Sequence, residues 1–182
     1  MVPYEEKDTR GKSFKEIFEY DIKNGTIALG ASSLVNTIKN VKELTEDELR
    51  QEMENLSPDY SEKQINNKAK VIWQFYRLIE EGDVIIVKKG LRQILAIGKA
   101  IVRSGKLTSF DKKKGFERAG NRFNLYPNFL NVAWQRILNL KFDEDVFRQG
   151  RFGALEEIVI KRKQHRIIPL IEEEVRKTFR EK

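Results

Sequence analysis

Cysteine is absent from the 182-residue chain, which excludes disulfides, thiol nucleophiles and thiolate metal ligands together. Histidine occurs once, as His165 in the basic run Lys161-Arg-Lys-Gln-His-Arg166. A zinc site or a Ser-His-Asp arrangement would rest on that one residue, and both are excluded. No apolar run approaches the roughly 20 residues a membrane helix requires, and the opening MVPYEEKDTRGKSF holds no apolar signal segment. The expectation is a cytoplasmic binding domain, without membrane contact, catalytic group, metal or cofactor of its own.

Charge is plentiful. Charged residues make up 35% of the chain and hydrophobic residues 40%, a balance that fits one well-solvated compact core with an appendage. Richness in Lys, Glu and Ile without cysteine suits a heat-adapted source. The net charge of +7 favours a polyanionic partner. Its distribution is uneven: residues 42–62 are acidic, whereas 99–122 carry Lys99, Arg103, Lys106, Lys112, Lys113, Lys114, Arg118 and Arg122 against Asp111 and Glu117.

Periodicity predicts a helix from Ser13 through Phe14, Ile17 and Phe18, then a short buried strand at Ile27-Ala-Leu29 entered through Asn24-Gly25. A second helix is expected over 34–40, and Thr45-Glu-Asp-Glu48 reads as a capping box opening a third. Ser61 and Gln64 repeat that signature before the long apolar-periodic stretch 65–81. Val84-Ile-Ile-Val87 and Gln93-Ile-Leu-Ala-Ile97 predict a hairpin turning at Lys88-Lys-Gly90, and the second strand is expected to run past Gly98. A long contact loop is expected over 104–125, then strands at 131–135 and 137–142, and a helical tail over 156–182 broken at Pro169. The fold class is α+β, a small, strongly bent sheet or barrel flanked by helices.

Asn24-Gly-Thr-Ile-Ala-Leu-Gly-Ala-Ser-Ser33 imitates a phosphate-binding loop, with GxxxxG spacing and Ser32 in the hydroxyl position. Ala31 replaces the lysine, however, and the residues between the glycines are themselves the strand. Nucleotide binding fails on chemistry and on order. What remains is a small-residue turn over 30–33, where Ser32 and Ser33 either cap a helix or meet a ligand.

Trp73-Gln-Phe75, Glu81-Gly-Asp83-Val-Ile-Ile-Val87, Ile94-Leu-Ala-Ile-Gly98, Tyr126-Pro and Val132-Ala-Trp134, in that order, resemble the EVE domain of the PUA/YTH-like superfamily. More closely, they look like the N-terminal specificity domain of McrB-type, modification-dependent restriction proteins. The resemblance spans residues 25–134. It implies an EVE/YTH-like recognition domain over 1–160 and a helical extension or linker over 161–182. It implies further that the intact protein continues into a GTP-hydrolysing AAA+ motor, which self-assembles and works with a nuclease subunit. The partner would be modified double-stranded DNA carrying a methylated base, N6-methyladenine first, swung into an aromatic pocket. A 5-methylcytosine reader, an RNA-binding PUA/YTH-like module and a structural adaptor are the alternatives.

Carried over by position, the resemblance puts Ala31, Ser32 and Ser33 at the polar first turn and Trp73 at the Trp-x-Phe site of the base pocket. Phe75, Tyr60, Phe123 and Tyr126 are the further pocket candidates, and Trp134 is expected in the core. Lys112, Lys113, Lys114, Arg118 and Arg122, with Lys88 and Lys89 on the hairpin turn, are candidates for DNA backbone contact. Phe116 is the candidate wedge for the gap a swung-out base would leave.

Overall fold

A computed structural model of the protein describes residues 11–29, 41, 43–56, 58–89, 92–120, 127–142, 173 and 176. The described elements run α1 (Phe14–Asn24), β1 (Thr26–Leu29), α2 (Glu46–Leu56), α3 (Glu62–Arg77), β2 (Val84–Lys89), β3 (Gln93–Ala100), β4 (Thr108–Phe110), α4 (Lys112–Ala119) and β5 (Asn128–Lys141). The architecture is α+β: a curled antiparallel sheet, a half-barrel flanked by helices. Among the described residues no helix is long and apolar enough to cross a membrane.

Local chemistry sets the helix starts. At α1 the Ser13 hydroxyl accepts the Glu16 backbone N–H, and the Glu16 carboxylate accepts the Ser13 N–H at 2.8 Å. Thr45 and Glu48 reproduce this reciprocal box ahead of α2, with the Thr45 N–H donating to Glu48 at 2.8 Å. At α3 the Gln64 side chain accepts the Ser61 N–H at 2.9 Å. Each box satisfies amide donors that a helix start leaves open. Gly25 then closes α1 in the left-handed conformation, φ 60°, and turns the chain into β1 within one residue.

β5 organises the sheet. Its first four residues pair with β1, Thr26 opposite Asn131 and Leu29 opposite Asn128. Along its other edge β4 lies against 128–130 and β3 against 132–141. β2 completes the order β1-β5-β3-β2. The β3–β5 ladder shifts register between Ile94 and Ala96 and again between Ile97 and Gly98. Such bulges bend a strand and increase its twist, which curls the sheet. Gly98 has a steric reason as well: a Cβ there would lie 2.6 Å from Val132 Cγ1 and 2.8 Å from the Ala133 carbonyl. The backbone approaches too closely for a side chain.

The strand alternation gives the β1–β5 sheet two covered faces. On one, Leu29, Leu130 and Val132 join Leu49 and Met53 of α2 and Ile65, Ala69, Ile72 and Phe75 of α3 in the larger core cluster. α1 lays Phe14, Phe18 and Ile22 on a smaller cluster around Val87, Leu95 and Ala96. Trp134 packs against both clusters, as a core tryptophan should, and its indole N–H donates to the Asp21 carbonyl at 3.1 Å.

Two expectations about the elements are corrected. Residues 104–125 are not one long loop: they contain β4 and α4. Asp111 caps α4 by accepting the Lys114 N–H at 2.9 Å, and Gly120 ends it at φ 68°. Three consecutive lysines and an internal glycine hide that helix from a periodicity reading. Lys88 and Lys89 do not form the hairpin turn but extend β2, opposite Ile94 and Gln93. The expected helix over 34–40 and most of the tail lie outside the described residues, of which Glu173 and Arg176 are helical and exposed.

Candidate nucleic-acid interface

α4 divides its residues by helical spacing. Gly115, Arg118 and Ala119 are buried on one side, while Lys112, Lys113 and Phe116 are exposed on the other. Phe116 stands four residues after Lys112 and three after Lys113, so the ring shares their face; it is 44% exposed. Lys114 lies on the flank with its Nζ 4.6 Å from the centre of the Phe129 ring. A row of cations with an aromatic beside it therefore faces solvent.

Arg118 is corrected from backbone contact to anchor. It is fully buried, and its Nε and Nη2 donate to the two Asp21 oxygens at 2.6 and 2.5 Å. Burial pushes the Asp21 carboxyl up, and the two Arg118 hydrogen bonds pull it back. The pair ties α4 to α1. The Lys12 N–H donates to the Ala119 carbonyl at 2.9 Å and its Nζ to the Glu117 carbonyl, so the C-terminal end of α4 is held a second time.

The pocket candidates separate. Phe75 is 2% exposed within the larger core cluster and is corrected to a core residue. Tyr60 precedes the Ser61 cap of α3, whereas Trp73 stands 12 residues beyond that cap, about 18 Å along the axis at 1.5 Å per residue. The Tyr60 ring meets Lys68 Nζ at 4.2 Å, so Tyr60 and Trp73 do not enclose one base. Trp73 is half-buried against the core, and its buried indole N–H has no hydrogen-bond partner among the described residues. Ala31, Ser32, Ser33, Phe123, Tyr126 and Arg122 lie outside the described residues.

Sequence reading missed the polar cluster where β1 leaves the sheet. The Tyr76 hydroxyl, one turn beyond Trp73, donates to Asn128 Oδ1 at 2.6 Å, and Asn128 Nδ2 donates to the Leu29 carbonyl at 3.3 Å. Burial pushes the Tyr76 phenol far up, holding it as a neutral donor. Phe110 is the ladder partner of Asn128 and is 37% exposed. Paired residues rise from the same face, so Phe110 stands beside this cluster, and α4 begins two residues later. Neither Tyr76 nor Asn128 carries a local signal, because the pair is 52 residues apart.

A second missed element is the small hairpin between β3 and β4. Arg103 and Lys106 exchange backbone hydrogen bonds at 3.0 and 3.1 Å across Ser104 and Gly105, whose φ values are 51° and 72°. The Ser-Gly dipeptide is a turn signal the sequence did offer. Among the described residues, no cluster of His, Asp or Glu could hold a metal ion.

No curated protein and no solved structure matches the chain. A family model does match residues 8–152, well over half of the 182 residues. The chain belongs to the family described as Domain of unknown function, DUF8426.

Proposed function

We propose that this chain is a nucleic-acid-recognition module that reads a methylated base in DNA, N6-methyladenine first, and directs a modification-dependent restriction complex to it. One observation carries the reading. Lys112, Lys113 and Phe116 share the exposed side of α4, which lies over the Phe129 face of the sheet and starts two residues after the exposed Phe110. Cations for phosphates and exposed aromatic rings for a base then adjoin along the chain. The curled sheet with flanking helices is compatible with the PUA-like fold that the resemblance implies.

The energetics demand both parts. Unstacking a base costs a few kcal/mol, and stacking it on an aromatic ring returns about 1–3 kcal/mol. A methyl group adds roughly 0.8 kcal/mol on burial. Discrimination therefore needs polar contacts to the base edge, for which Ser32 and Ser33 are the candidates, and affinity needs phosphate contacts.

Fluorescence anisotropy on matched methylated and unmethylated duplexes tests the reading. Tighter binding of the methylated duplex is expected, and Lys112→Gln with Lys113→Gln should weaken both duplexes alike. Equal affinities would sink the methyl-reading claim. Stronger binding of single-stranded RNA would replace DNA with RNA, and no binding at low salt would remove nucleic acid altogether.

A further inference from the structure

Arg103 and Lys114 come from different elements and converge on one place. The Arg103 Nη1 donates to the Asn24 carbonyl at 2.8 Å, at the C-terminal end of α1. A Cβ on the adjoining Gly25 would lie 2.5 Å from Arg103 Nη2, so the guanidinium rests directly on the glycine backbone. Thr26 follows. It pairs with Asn131, and the two side chains share the sheet face on which Phe129 stands. Lys114 covers that face at Phe129, and the Asn131 Nδ2 donates to the Lys106 carbonyl of the hairpin at 2.8 Å. The region around Thr26 is thus bordered by Arg103 on one side and Lys114 on the other.

Two features there are unexplained by the fold alone. Neither cation is ion-paired to a carboxylate among the described residues: Asp21 is taken by Arg118, and one Asp111 oxygen takes the Lys114 backbone N–H. The Thr26 hydroxyl is fully buried and has no hydrogen-bond partner among the described residues. Buried polar groups are satisfied as a rule, and an unsatisfied one marks a place for a missing partner. Burial, and then the nearby Arg103, lower the Lys114 ammonium from its ordinary value, which is the repulsion expected of two cations facing each other. An anion between them would relieve it.

We propose that Arg103 and Lys114, with the Thr26 hydroxyl on the floor between them, form a phosphate-binding site. Its ligand is one phosphodiester of the nucleic acid, an assignment that rests on the function proposed above; free inorganic phosphate offers the same chemistry. Arg103 keeps guanidinium donors beyond the one given to Asn24, and Lys114 supplies a point charge.

The test uses the full chain and a short fluorescent duplex, with affinity measured across a series of salt concentrations. Each neutralised phosphate contributes about 0.9 to the slope of log affinity against log salt. Arg103→Gln and Lys114→Gln should each lower the slope by about 0.9, and the double variant by no more than either, because both residues serve one phosphate. Lys114→Gln leaves the Arg103 bond to Asn24 in place and serves as the second variant if Arg103→Gln lowers stability. Inorganic phosphate should shift the Thr26 amide resonance in the wild type and not in Arg103→Gln.

Duplex binding with unchanged slopes in both variants, or slopes that add, would overturn the site while leaving the nucleic-acid reading intact. A phosphate-dependent Thr26 shift in a chain that binds no duplex would support the site and remove its nucleic-acid source. No Thr26 shift and no slope change together would overturn it outright.

Discussion

Arg118 gives up all its solvent contact to reach Asp21, and Asp21 is nearly as deeply buried. Two ions taken out of water are costly unless paired, and removal of one partner leaves the other uncompensated. Arg118→Ala should therefore lose about 3–5 kcal/mol of stability in urea unfolding. Asp21→Leu combined with Arg118→Met should recover most of that loss, since an apolar pair of similar size avoids the desolvation. A small loss in the single variant would show that the pair does not hold α4. Lys112, six residues earlier, carries the same charge on the opposite side of the helix and is exposed. Composition counts both as cations, and only the contact with Asp21, 97 residues away, separates anchor from surface.

At the scale of elements, the helix starts were legible. Ser13 with Glu16 and Thr45 with Glu48 act through three-residue spacing, which the sequence displays directly. They also give a pH dependence. Hydrogen bonds from the Ser13 side chain and backbone lower Glu16, and those from the Thr45 backbone and side chain lower Glu48. A carboxylate lowered in the folded state stabilises above its ordinary value, and that contribution is lost as pH falls through the folded value. The caps should thus hold above about pH 4.3, the ordinary glutamate value, and weaken below it. A Glu16→Gln, Glu48→Gln variant keeps neutral acceptors. The melting-temperature gap between wild type and variant should shrink on acidification, and a constant gap would contradict the assignment. α4 was illegible for the opposite reason: its amphipathic pattern depends on burying an arginine and a glycine. The hairpin at Ser104-Gly105 was readable from its turn residues, but the approach of Arg103 to Asn24 was not.

At the scale of the molecule, β5 connects everything. It pairs with β1, β3 and β4, and its alternating residues contribute to both faces of the sheet. Amide exchange should be slowest at 129–132 of β5 and its partners in β1 and β3, and faster in α4, whose exposed face has little cover. Equal protection of α4 would mean that it is more firmly integrated than its contacts indicate. The same sheet separates charge. α2, with Glu46, Asp47 and Glu48 in its first turn, lies on the core face opposite α4 and its lysines.

The sequence by itself determined the starts of α1, α2 and α3, the β2–β3 pairing, the strand between Gly25 and Gly30 and the concentration of positive charge in 99–122. Each depends on residues within a few positions of one another or on summed composition. Tertiary structure alone decided that Arg118 is an anchor, that Phe75 is core and Tyr60 stands apart from Trp73. It also decided that Tyr76 meets Asn128 and that Arg103 and Lys114 converge above Thr26. Those relations join residues far apart in the chain, and sheet pairing and burial, not local pattern, bring them together.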